Sequence, residues 1–254
     1  MDHVSIIGSG NVASWFAEVA FGEGCLIDQI YSRDFEHAKE CAQWRMATPI
    51  DSLEELTPDS DMYIFAVKDD CLSDLVASVP FKMKLAVHTS GSVSKDIFKG
   101  YAHHYGVLYP CQSISKELDF RRLEVPLCVE GDSVETEKIL MDFATYWSDN
   151  LFAVSEKQRF QLHLAAVFAN NFTNAMYDIA YGQLAKAGLD WKILLPLLEN
   201  TARKVREIPP HQAQTGPARR NDTKIMASHC EALKNDPALL EIYRIMSEYI
   251  KCRQ

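Results

Sequence analysis

Seven short runs of β-branched and apolar residues, at 3–8, 25–32, 61–67, 84–90, 105–110, 125–131 and 150–154, alternate with helical patterning at 11–21, 35–44, 73–79 and 133–147. Parallel strands need long crossovers, and helices of this length supply them. The alternation therefore predicts an α/β fold up to Val154: a doubly wound, mostly parallel sheet with helices on both faces.

Beyond Val154 the strand signal ends. Residues 155–187 read as helical almost without a break, and Gly188 stands where a helix C-cap belongs. The middle, LAAVFANNFTNAMYDIAYGQLAKAG, is small and apolar on more than one face, which predicts burial on several sides. Further helices are predicted over 191–207, 223–234 and 237–252, with the loop IPPHQAQTGPARRND after the first. A boundary near Val154 separates an α/β domain, 1–154, from an all-helical domain, 155–254.

Composition removes other classes. With 26 Lys and Arg against 35 Asp and Glu, the net charge of −9 has the wrong sign for gripping nucleic acid through its phosphates. The seven cysteines are odd in number, scattered and without a CxxC pair, which fits a reducing, cytoplasmic setting. A strand-like run starts almost at Met1 and no apolar stretch reaches about 18 residues, so neither a signal peptide nor a membrane span is expected. His103 and His104 have no partner at metal-ligand spacing, and no metal site is expected.

The first strand runs into Gly8-Ser9-Gly10-Asn11-Val12-Ala13, a GxGxxA pattern that opens the first helix. Gly8 permits the tight turn, Gly10 lets backbone approach a diphosphate, and Ala13 lets helix pack on strand. Amides around Asn11 and Val12 would face the negative charge with the helix dipole behind them. A bare strand-to-helix corner would also favour glycine. At the end of the second strand, where NAD-binding chains carry an acid on the ribose, YSRD places Ser32 and Arg33. A guanidinium there pairs with a 2′-phosphate and stacks on adenine, which points to NADP; Asp34, one residue on, would favour NAD if the strand end shifted.

Together with FAVKDD (65–70), HTSGSV (88–93), YPCQS (109–113), EKQRFQLHLAAVFANNF (156–172) and TGPARRND (215–222), these motifs resemble the Rossmann-like 6-phosphogluconate dehydrogenase-like superfamily. That group includes pyrroline-5-carboxylate reductase, β-hydroxyacid dehydrogenases and deazaflavin-dependent NADP oxidoreductases. The chain is most similar to a branch labelled NADP oxidoreductase whose C-terminal half is a domain of unknown function. The resemblance implies that Ala66, Val67 and Lys68 lie along the cofactor, that Thr89, Ser90 and Gly91 flank the nicotinamide, and that the helical domain pairs in a homodimer. The chain also departs from the dehydrogenases: Lys157 lacks a glycine-rich lead and is followed four residues on by Gln161 rather than asparagine. Relatives in the branch carry histidine before proline where this chain has Tyr109 and Pro110.

At about 100° per residue, His163, Asn170 and Asn174 share one face of the long helix, while Lys157, Gln161 and Asn171 share another. His163 is the candidate general acid, with Lys157 and Asn170 as further catalytic candidates, since imidazole titrates near neutrality. A satisfied core histidine would look the same. Asn174 and Arg220 are candidate substrate contacts, Arg220 from a local basic patch with Arg219. The expected function is hydride transfer between NADP(H) and a small carbonyl, imine or hydroxy compound in the cleft between the domains. The alternatives are a dinucleotide-binding sensor or scaffold without turnover, and a nucleotide-independent scaffold for another phosphorylated metabolite.

Overall fold

The computed structural model describes residues 2–117, 119–120 and 123–253. The chain forms two compact units, Met1–Ala175 and Met176–Gln254.

The first unit is built on an eight-stranded sheet of β1 (His3–Ile7), β2 (Leu26–Tyr31), β3 (Thr48–Ile50), β4 (Met62–Phe65), β5 (Met83–His88), β6 (Ala102–Pro110), β7 (Leu127–Gly131) and β8 (Leu151–Ala153). Its order is β3-β2-β1-β4-β5-β6-β7-β8. Every neighbouring pair is parallel except β6 and β7. All seven apolar runs are strands. The eighth, β3, escaped the sequence because Thr-Pro-Ile is too short to show a period; as an edge strand it tolerates Pro49, whose missing N–H costs no ladder bond.

Helices α1 (Asn11–Gly22), α2 (Phe35–Ala42), α3 (Asp69–Ala77) and α4 (Val134–Ala144) complete the α/β region. Side chains alternate across each strand, so both faces need covering. On one face Val4, Ile6 and Ile64 pack with Trp15, Phe16, Phe143 and Trp147. On the other, Ile7, Tyr63 and Phe65 pack with Leu72, Val76 and Phe98. The edge-to-face contacts Phe16–Trp147 at 5.3 Å and Phe143–Trp147 at 4.5 Å join α1 to α4.

A capping box formed by Ser155 and Gln158 starts the long helix. It runs as α5 (Glu156–Ala166), a π-helical segment (Val167–Phe172) and α6 (Thr173–Lys186). The strand-to-helix change falls at Val154 as read from the sequence, yet the compact unit continues to Ala175. Within that unit Arg159 bonds α5 to Glu130 of β7. The expectation of a helix buried on several sides does not hold within one chain. Arg159 is the only buried residue of α5, α6 has none, and Phe160, Leu164, Phe168 and Phe172 stand exposed.

The second unit contains the rest of α6, α7 (Leu195–Glu207), the short α8 (Pro210–Ala213), α9 (Thr223–Ala232) and α10 (Pro237–Cys252). Asp222 and Asp236 cap α9 and α10. Among its described residues only Ala218 and Ser247 are buried, while Ile193, Leu197, Ile245, Met246 and Tyr249 are exposed. An apolar cavity of about 360 Å³ opens between α6, the 215–218 segment and α10, lined by Met176, Ile179, Leu239, Ile242 and Met246.

Candidate active site

The strand order reverses between β1 and β4, and ligands of open α/β sheets bind outside the carboxyl ends of strands at such a point. A crevice of about 700 Å³ lies there. Its lining includes all ten of the candidate cofactor residues at the glycine turn and at the ends of β2 and β4: Gly8, Ser9, Gly10, Asn11, Val12, Ser32, Arg33, Ala66, Val67 and Lys68. His37 and Ile114, which sequence reasoning did not single out, line it too. A Cβ added at Gly10 would meet nothing within 4 Å, so the turn leaves open space above the start of α1. Ser9 Oγ donates to Ser32 Oγ at 2.9 Å, tying the turn to the end of β2. Asp34 accepts from the Glu36 amide at 3.0 Å and caps α2, with His37 Nδ1 3.8 Å from its other oxygen. That carboxylate is occupied in holding the helix.

A second cavity, about 540 Å³, shares Val12 with the crevice. Thr89, His163 and Asn170 line it, joined by Tyr109, Gln112, Ser113 and Asn171. Tyr109 Oη lies 3.2 Å from His163 Nδ1, with the rings edge to face at 5.8 Å. Burial holds the Tyr109 phenol above its ordinary pKa, and the neighbouring Cys111 adds to this, so the phenol keeps its proton. The phenol oxygen and Nδ1 share one hydrogen, and which of the two donates follows the tautomer of the imidazole. Asn170 and Asn171, consecutive residues of the π-helical segment, both line this cavity. A uniform 100° step put them on different faces.

Beneath this cavity lies a buried cation. Arg159 is fully buried; its Nε and Nη2 bond Glu130 Oε2 at 3.3 and 3.1 Å, and its Nη1 donates to the Ser90 carbonyl at 2.9 Å. Lys95 Nζ reaches Glu130 Oε1 at 2.8 Å, and this hydrogen bond raises the lysine pKa. The 88–94 loop is thus clamped under the first turns of α5. Gly91 fits closely there: a Cβ on it would lie 2.6 Å from His163 Cγ and Nδ1. His88 is buried and accepts from the Ser90 amide at 3.1 Å; burial, with the Arg159 charge second, pushes its pKa down to about 3. It stays neutral and structural.

The remaining candidates fall elsewhere. Ser90 and Gly91 line neither cavity: the Ser90 hydroxyl donates to Asp69 at 2.9 Å, and Gly91 makes room for His163. Lys157 and Asn174 are exposed and line neither cavity. Arg220 is exposed in the second unit, its amide bonded to the Gly216 carbonyl at 3.2 Å. Among the described residues no group of three His, Cys, Asp or Glu side chains is arranged to hold a metal. No helix of the described residues is long and apolar enough to cross a membrane.

Comparison with known proteins places this geometry in a family. Residues 125–250 match the model described as Domain of unknown function (DUF2520). A crystal structure described as a "putative NADP oxidoreductase" from Bacteroides fragilis is 38% identical, covers 98% of both chains and superposes with a TM-score of 0.93. A protein from Thermotoga maritima is 21% identical over 98% of this chain and 97% of its own, with a TM-score of 0.72. A 1-pyrroline-5-carboxylate reductase from Streptococcus pyogenes shares the fold at 16% identity, 98% coverage of both chains and a TM-score of 0.65. No curated protein matches. The chain belongs to the Rossmann-like NADP oxidoreductase family that carries the DUF2520 domain.

Proposed function

We propose that the protein transfers a hydride between NADP(H) and a small carbonyl, imine or hydroxy compound. The observation that carries this reading is the adjacency of the two cavities through Val12, one a phosphate-ready crevice and the other holding the Tyr109–His163 pair. In the crevice Gly8, Ser9, Gly10, Asn11 and Val12 bind the diphosphate, Ser32 and Arg33 the adenosine ribose, and Ala66, Val67 and Lys68 follow the chain of the cofactor. Thr89 borders the nicotinamide end. NADP is favoured over NAD because Arg33 is available to a 2′-phosphate while Asp34 is engaged as a cap.

When bound, the nicotinamide supplies or accepts the hydride, and the protein's own task is orientation and the proton. His163, in its protonated form, donates its Nε2 proton to the oxygen or nitrogen that gains negative charge and is left as the neutral imidazole, while Tyr109 Oη at Nδ1 fixes the orientation of the ring. Asn170 and Asn171 hold the polar end of the substrate. Titration of tryptophan fluorescence with NADPH tests the first half of the reading, and the expected result is saturable quenching. A screen of small carbonyl and imine compounds for loss of NADPH absorbance tests the second. In any active pair, His163→Ala lowers kcat by about 10²-fold or more with little change in NADPH affinity. Binding with no turnover of any compound would favour the sensor reading; no binding would remove both.

The second unit supports a homodimer, with cytoplasmic residence. A 79-residue body that buries so little of itself leaves its apolar surface for a second copy. None of the seven cysteines is paired, in keeping with a reducing compartment. Sedimentation is expected to give the mass of two chains, and a single-chain mass at micromolar concentration would count against the pairing.

A further inference from the structure

The glycine turn has the shape for a diphosphate but little charge for one. None of Gly8, Ser9, Gly10, Asn11 and Val12 is charged, and the cations of the crevice lining, Arg33 and Lys68, sit at the ends of β2 and β4. The dipole of α1 offers only about half a charge. In a chain of net charge −9, a further cation on the turn itself would offset part of two phosphate charges.

The connection from β6 to β7 brings one. Gln112 and Ser113 line the second cavity, Ile114 lines the crevice and is buried in the core cluster behind it, and Lys116 Nζ donates to the Ser9 carbonyl at 2.8 Å. Gln112 Nε2 fastens the segment to the Glu124 carbonyl at 3.0 Å. Over five residues the segment follows the path a dinucleotide would take, from its reacting end to its diphosphate. An ammonium on a flexible stem resting on a neutral carbonyl gives up little by moving to a phosphate oxygen nearby, where the bond becomes charge-assisted.

We propose that Lys116 is a ligand of the dinucleotide's diphosphate, moving from the Ser9 carbonyl onto a phosphate oxygen when the crevice fills. The proposal rests on the dinucleotide reading above and adds a residue outside the glycine motif to it. The diphosphate is common to NADPH and NADH, whereas the 2′-phosphate is not, and this separates the roles of Lys116 and Arg33.

Isothermal titration of the full chain with NADPH and with NADH tests it. Lys116→Gln is expected to weaken both by a similar factor, about five- to thirtyfold, and to flatten the salt dependence of binding. Lys116→Arg retains most of the affinity, while Arg33→Ala weakens NADPH selectively. Because Lys116 is exposed, the variants keep the wild-type melting temperature. Wild-type affinity of Lys116→Gln for both nucleotides overturns the proposal, and a loss confined to NADPH moves the lysine to the 2′-phosphate and overturns it as well. A wild-type chain that binds neither nucleotide defeats the dinucleotide reading itself.

Discussion

Replacing Arg159 with methionine lowers the unfolding free energy by about 3–5 kcal/mol, the loss expected when one partner of a buried ion pair is removed. The side chain is fully buried and makes three hydrogen bonds at once, two to Glu130 Oε2 and one to the Ser90 carbonyl. Methionine fills much of the volume but leaves Glu130 with Lys95 as its remaining cation and the Ser90 carbonyl without its donor. The double variant Arg159→Met with Glu130→Met removes the stranded carboxylate and recovers most of the loss, since a buried pair is often replaceable by apolar groups of similar size. Urea denaturation of the wild type and the two variants measures both steps. A single variant within 1 kcal/mol of wild type would mean that the pair contributes nothing to holding α5 on the sheet.

Gly8→Ala and Gly10→Ala are expected to fail in opposite ways. Gly8 has φ of +129°, and a Cβ there would stand 2.2 Å from the Ala66 carbonyl oxygen, a backbone atom of the adjacent strand end. Relief requires β1 and β4 to part at their carboxyl ends, where the Ala66 amide bonds the Ile7 carbonyl, so the variant loses about 3–5 kcal/mol of stability. Gly10 has φ of −75°, and its Cβ would meet no atom within 4 Å. Alanine there folds with stability within about 1 kcal/mol of wild type, as expected for an N-cap position of ordinary backbone conformation. It places a methyl group where a diphosphate must approach the amides of α1, and NADPH binding falls at least about tenfold. Thermal melts and fluorescence titration of both variants separate the two losses. A Gly10→Ala chain that binds NADPH as well as wild type would show that the ligand does not lie on this turn.

The α/β half was legible because its signals are local. Seven strands declared themselves by apolar runs, and the glycine turn by its position between strand and helix. Pro49 in a three-residue edge strand offers no such run. The cavity beside His163 was legible only in part. His163 and Asn170 stood out as polar groups in an apolar helix, but Asn171 was assigned to another face because nothing in VFANNF announces a π-helical turn. Tyr109 reaches His163 across 54 residues, through the course of β6 beside α5. Arg159 was hidden most completely. In the charged stretch EKQR it reads as part of a solvated first turn, and its burial follows from Glu130, 29 residues earlier on β7.

The π-helical turn also bears on how this chain compares with others of its kind. Such a turn is what a helix makes of one inserted residue, so a deletion within 167–169 would restore regular winding ahead of the asparagines. A chain one residue shorter here would keep His163 in place and set both asparagines back by one helical position, about 100° of rotation, so the wall opposite the imidazole would be built from other side chains.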